Sequence, residues 1–218
     1  MKQLVITFLV LFTFLNVSGQ DCNRESIIVK NDVFTINYSE ILQQPLWVIY
    51  TSKNRPKNVD RGHMNFKKND TICTSDNDDY VKNVWDKGHM APAATYSDSE
   101  EHLKTTFSYL NCSLQNKYLN RGAWRILESK ERLWDDVENL SIKVIPIYGE
   151  NSVVLPTGAT IPDSYHKHIK FETQNVIRCF YFLNERPTTS WELHENTNKC
   201  DILEDFTYDA KTHTRNKW

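Results

Sequence analysis

Glycine and proline are scarce in this chain, at 6 and 7 residues, which excludes collagen-like and low-complexity architectures. An excess of one charge is missing too: 26 basic side chains face 28 acidic ones, for a formal net charge of −2. No global positive field advertises a polyanionic partner, so attraction for one has to be local. The five cysteines contain no CxxC pair, and a cysteine-rich zinc site is not expected. The nucleophile-elbow, zincin, P-loop and dinucleotide fingerprints are all absent. So are internal repeats and any Pro-, Gly- or Ser-rich linker. The longest apolar run, Leu4–Leu15, falls short of the roughly 20 residues a spanning helix requires.

With 218 residues, 39% of them hydrophobic, the chain can bury a sizeable core, and one domain is the default count. Lys2, the Leu4–Leu15 run and Val17-Ser18-Gly19 have the order of a secretory signal peptide cut near Gly19/Gln20. The expected organisation is a signal peptide over 1–19 and one domain over 20–218. Its location would be secreted, extracellular or periplasmic, with no membrane association after cleavage. In an oxidising compartment disulfides are expected, and an odd cysteine count leaves one thiol over. Cys179 and Cys200 flank a polar stretch and are the favoured pair.

Strand-like runs occur at Ser26–Lys30, Val33–Asn37 and Leu46–Tyr50, the last apolar enough to be buried on both faces. Residues 51–80 read as an irregular region with a basic cluster from Lys53 to Lys68 and an acidic one at Asp76, Asp78 and Asp79. A helix over 97–109 is expected to start from a Ser97-Asp98 cap. A second, from Asn120 to Asn139, is expected to bury Ala123, Ile126, Leu127, Leu133, Trp134 and Val137. Further strands are expected at Ile142–Tyr148, Val153–Leu155 and Asn175–Leu183, and a short amphipathic turn at Ile202–Phe206. Strands and helices without regular alternation predict an α+β fold with a largely antiparallel sheet.

The chemistry concentrates in Trp85-Asp86-Lys87-Gly88-His89-Met90-Ala91-Pro92 and in the helix after it. Pro92 prevents a helix from starting at His89, which places that imidazole at a strand end or in a turn, open to substrate. Neutral imidazole is the side chain best suited to take a proton near pH 7. Glu128 and Arg132 are i,i+4 neighbours that can touch. Asn120 lies at the expected helix N-terminus, and an amide oxygen, a carboxylate and waters suit Mg²⁺. The same residues also fit a capping Asn, an exposed Glu–Arg pair and an isolated turn His. His166 and His168 have no third ligand at metal-site spacing and read as surface histidines.

DKGHMAPAA, FSYLNCSLQ over 107–115 and LNRGAWRILE over 119–128 occur in an order and spacing that resembles the DNA/RNA non-specific endonuclease family. These are sugar-nonspecific nucleases with a ββα-metal, or His-Me finger, site. Weaker similarity runs from Trp47 to Glu204. The resemblance implies a ββα-metal fold, with a central, mostly antiparallel sheet flanked by helices. It also implies Mg²⁺-dependent hydrolysis of DNA and RNA, single- or double-stranded, to 5′-phosphate products, with Mn²⁺ as a substitute ion. In that scheme His89 is the general base, Asn120 the one direct protein ligand to the metal, and Glu128 a group that orients water in the metal's shell. Arg132, Lys87 and Arg61 would hold the phosphate; Asn111, Gln115 and Asp86 would contribute to substrate binding, Asn111 and Gln115 mainly as support. Lys87 stands where the family has Arg, and Leu114 where it has Pro. Asp60-Arg61-Gly62-His63 copies the family motif literally but lacks the following Ala-Pro, so His63 is expected to be dispensable. Two other functions remain open at this stage: a binding module on the same scaffold without turnover, and a disulfide-stapled structural domain.

Overall fold

The computed structural model describes residues 21–150, 152–196 and Cys200. The expected signal peptide and the Ile202–Phe206 turn lie outside the described residues. Six antiparallel strands form the main sheet: β1 (Ile27–Lys30), β2 (Phe34–Ser39), β3 (Gln44–Ser52), β6 (Leu140–Ile147), β7 (Ser164–Phe171) and β8 (Val176–Leu183), in that spatial order. A separate two-stranded sheet pairs β4 (Trp85–His89) with β5 (Cys112–Asn116). Helix α1 (Glu100–Thr106) connects them. Beyond β5 the chain enters a short α2 (Lys117–Leu119) and a wide π-type turn over Asn120–Trp124, then α3 (Arg125–Trp134). Two strands followed by a helix, laid against a six-stranded antiparallel sheet, make the α+β architecture expected. Among the described residues no helix is long and apolar enough to cross a membrane.

β3 lies between β2 and β6, and Val48 and Tyr50 are sealed in the core. Trp124 packs against Tyr165, tilted, and Phe182, edge-on, with both ring centroids 5.5 Å away. That contact seats the start of α3 on the face of β7 and β8.

The structure corrects several sequence expectations. Helix 97–109 shortens to α1, capped by Ser99 rather than Ser97-Asp98: its hydroxyl accepts from the His102 amide. The expected Asn120–Asn139 helix breaks at Gly122, whose backbone leaves the helical region (φ −104°, ψ −115°), and ends at Trp134. Asn120 therefore caps the C-terminus of α2 instead of starting a helix. Ile126, Leu133 and Val137 are exposed, because Glu131 and the aromatic Trp124 occupy the buried face in their place. Apolar periodicity misses that face, since one of its members is charged. Val153–Leu155 is not a strand; Val154 makes one isolated bridge to Thr160. His166 and His168 are buried on β7, between β6 and β8, rather than on the surface.

Two disulfides are formed, Cys22–Cys73 and the expected Cys179–Cys200, leaving Cys112 as a buried thiol. Near the first, the buried Glu40 accepts from Arg24 Nε at 2.7 Å and from the Cys73 amide at 3.0 Å. These hydrogen bonds pull its carboxyl pKa from 4.5 to about 2, with the Arg24 bond as the largest cause. A carboxyl acidified by folding stabilises the fold above its unfolded pKa, and that stability is lost as pH falls toward the folded value. Glu40→Gln should therefore lower the urea midpoint at pH 7 and shrink the loss of stability between pH 4.5 and pH 2. Parallel acid sensitivity in wild type and variant would refute this role.

Candidate active site

β4 and β5 pair in register, with Gly88 opposite Ser113 and His89 opposite Cys112. The register depends on Gly88, since a Cβ there would lie 2.6 Å from Gln115 Cβ. After His89 the chain is held by Asn111, which is fully buried. Its Oδ1 accepts from the Ala91 amide at 2.8 Å, and its Nδ2 donates to Ala91 and Thr106 carbonyls. Asn111 and Gln115 are thus supports beneath the site, and neither faces the cleft.

That cleft, about 790 Å³, is lined by Arg61, Asp86, Lys87, His89, Asn120, Glu128 and Arg132 together. The fold collects them from a loop, β4 and the α2–α3 segment. Phe66, Tyr80, Arg121 and Arg125 also line it, and sequence reading assigned no role to these four. Arg121, Arg125 and Ser129 follow one another at four-residue steps, about one helical turn each, a spacing that could have flagged both arginines.

His89 lies between two rings, 4.6 Å from Phe66 and 4.9 Å from Phe107. Its Nε2 is buried with no hydrogen-bond partner among the described residues. Burial, helped by the nearby Arg61 guanidinium, lowers its pKa from 6.5 to about 3, so the imidazole is neutral at physiological pH. Asn120 donates from Nδ2 to Asp86 at 2.9 Å, and among the described residues its amide oxygen has no hydrogen-bond donor. Asp86 also receives both arms of Arg121, at 2.7 and 2.6 Å. Its carboxylate is therefore engaged in positioning Asn120.

Glu128 accepts from the Trp124 indole at 2.8 Å. Burial is the largest cause raising its pKa from 4.5 to about 7, opposed by the charge of Lys167. Among the described residues Glu128 and Arg132 form no ion pair: Arg132 Nη2 donates to Ser129 at 3.0 Å instead. Arg132 Nη1 is buried and has no partner among the described residues, a donor available to an anion in the cleft. Lys87 sits among Tyr109, Tyr80 and Phe66, with ring centroids 5.3, 5.8 and 6.0 Å away, and donates to Asn77 at 2.8 Å. Arg61 stacks over Phe107 at 5.0 Å. The literal Asp60-Arg61-Gly62-His63 string is an exposed turn with Gly62 at φ +50°; Arg61 reaches the cleft, and His63 is not among its lining residues.

The family model for DNA/RNA non-specific endonucleases matches residues 18–213. The chain belongs to that family. Curated relatives include mouse mitochondrial nuclease EXOG, 28% identical over 56% of this chain and 39% of its own length. Human mitochondrial endonuclease G is 26% identical over 57% of this chain and 50% of its own length. The chain thus spans half or less of the length of these relatives. In the crystal structure of the EndoG/EndoGI complex, one chain superposes with a TM-score of 0.72 at 20% identity, covering 83% of this chain and 84% of that one. Membership and the superposition agree with the α+β fold described above.

Lys167 supports the site from below. It is fully buried, 2.6 Å from Glu131 and 4.0 Å from Glu128, with its ammonium over the Trp124 ring at 4.5 Å. Removing one member of a buried ion pair strands the other charge. Lys167→Met should cost about 3 kcal/mol and lower Tm by about 10 °C. Adding Glu131→Leu should restore most of the loss in thermal denaturation. A double variant no more stable than the single would refute the charge-stranding account.

Proposed function

We propose that this chain is an exported, Mg²⁺-dependent nuclease that hydrolyses phosphodiester bonds of both DNA and RNA and leaves 5′-phosphates. The observation that carries the reading is the convergence of neutral His89, Asn120, Glu128 and the unpaired Arg132 Nη1 in one cleft. Its remaining cations suit a polyanion even though the whole chain is slightly acidic. The two disulfides support an oxidising compartment.

Among the described residues no three His, Cys, Asp or Glu side chains gather around a common metal position. The donor set that does converge, one amide oxygen with a carboxylate nearby, fits a hard cation that keeps most of its water. Asn120 would hold Mg²⁺ through Oδ1, with Asp86 fixing the amide's orientation. When bound, the ion supplies Lewis-acid stabilisation of charge on the phosphate and the leaving 3′ oxygen. His89, neutral and lodged between Phe66 and Phe107, takes the proton of the attacking water. A phosphate in the cleft offsets the charge of Arg61 and so favours the imidazolium formed in that transfer. Glu128, fixed by Trp124, accepts a hydrogen bond from a water and orients it. Arg132, Arg61 and Lys87 grip phosphate oxygens. Contacts to phosphate carry no sequence information, which explains action on both nucleic acids.

Plasmid and RNA digestion by the purified chain, with Mg²⁺ or with EDTA, tests this reading directly. Both substrates should be cut only with metal. His89→Ala should lose at least about 100-fold in rate while still binding DNA, the span of a general base. His63→Ala should cut normally. Full activity of His89→Ala would sink the base assignment; DNA that is shifted but never cut would make the chain a binding module.

A further inference from the structure

Outside the cleft, Tyr118 is 46% exposed and flanked by two cations. Arg186 lies 4.6 Å from its ring centroid and Lys117 lies 5.1 Å away. Among the described residues neither cation is paired with a carboxylate. Each cation is attracted to the ring, and at an exposed site such a contact is weak enough for a ligand to displace. The three groups together can take a stacked base and the phosphate beside it.

The position of the cluster is set by the active site. Leu119 and Asn120 keep helical backbone angles (φ −66°, ψ −56° and φ −55°, ψ −47°), so Tyr118 and Arg121 lie one turn apart on the same side. Arg121 lines the cleft and is tied to Asp86. Arg125, also lining it, donates to the Arg121 carbonyl at 3.1 Å. The segment that carries Tyr118 therefore continues directly into the cleft lining, through the ion-paired Arg121 and then Arg125.

The two halves of the cluster are also locked together. The Asn116 amide donates to Asn184 Oδ1 at 2.8 Å, joining the segment before Tyr118 to the one before Arg186. Asn184 Nδ2 donates to the Leu114 and Pro162 carbonyls at 2.9 and 2.8 Å. The Tyr118 amide is bound by Asn116 Oδ1 at 3.0 Å, and the Lys117 amide by the Val84 carbonyl. A preorganised platform loses little entropy when a ligand stacks on it.

We propose that Tyr118, with Arg186 and Lys117, is a subsite that stacks an unpaired nucleobase of the strand leaving the cleft. This rests on the nuclease reading and adds a preference to it. A base inside a duplex is already stacked and cannot use the ring, so the subsite favours single strands and frayed or gapped duplexes.

Fluorescence anisotropy of the full protein in EDTA separates binding from cleavage. The probes are a labelled oligothymidylate, an equally long strand of abasic sites, and a blunt duplex. Tyr118→Ala should bind the oligothymidylate about tenfold more weakly, the scale of one stacked base, and leave the abasic strand and duplex unaffected. Tyr118→Phe should bind the oligothymidylate like wild type. Arg186→Ala should weaken both single strands and reduce the salt dependence. Equal losses by Tyr118→Ala on the oligothymidylate and the abasic strand would overturn the proposal. So would an unchanged oligothymidylate affinity in a wild-type background that binds and cuts DNA. A wild-type chain that binds none of the three probes would overturn the nuclease reading along with the subsite.

Discussion

A lysine ammonium sealed between a sheet and a helix sets the geometry of the cleft. Lys167 projects from β7 to meet Glu131 on α3, and Tyr50 on β3 donates to the other oxygen of the same carboxylate at 2.8 Å. The short Lys167–Glu131 contact is a close ion pair rather than an aligned hydrogen bond. Isolated, either charge would be too costly to bury, so α3 cannot slide or rotate on the sheet without breaking the pair. Trp124 stacks on the same ammonium and donates its indole N–H to Glu128. The orientation of Glu128 toward the cleft is thus inherited from a charge buried in the core.

The opposite wall is built by different means. His89 is placed by the β4–β5 register and by Asn111, which satisfies both backbone polar groups of Ala91. Aromatic rings keep water from the imidazole and hold it neutral, and Arg61, Arg132 and Lys87 line the same cleft. The walls meet at Asp86, which joins β4 to Asn120 and Arg121. Burial does most to disfavour the imidazolium at His89, and the Arg61 guanidinium adds to it.

Lys87 brings a compact point charge to the cleft, where three aromatic rings and Asn77 hold it. Arg61 and Arg132 bring planar guanidinium forks to the same cleft.

Local pattern determined much of this protein. Alternation and β-branched runs located five of the six main strands within a few residues, and the spacing of three short blocks identified the family and the residues that line the cleft. The Cys179–Cys200 pair was legible as well. Missing from that reading were β7, whose polar Ser164–Lys170 stretch looks solvated, and the buried face of α3. Both were hidden for one reason: Lys167 and Glu131 are charged, and their burial is tolerable only because each neutralises the other. Asn120's place at the end of α2, Asp86's hold on it and the exposure of Ile126 likewise follow from the break at Gly122 and from contacts made across the fold. Sequence alone nominated many of the side chains that line the cleft. Tertiary structure decided which of them meet, because pairing between distant charges and amides leaves no periodic trace in the chain.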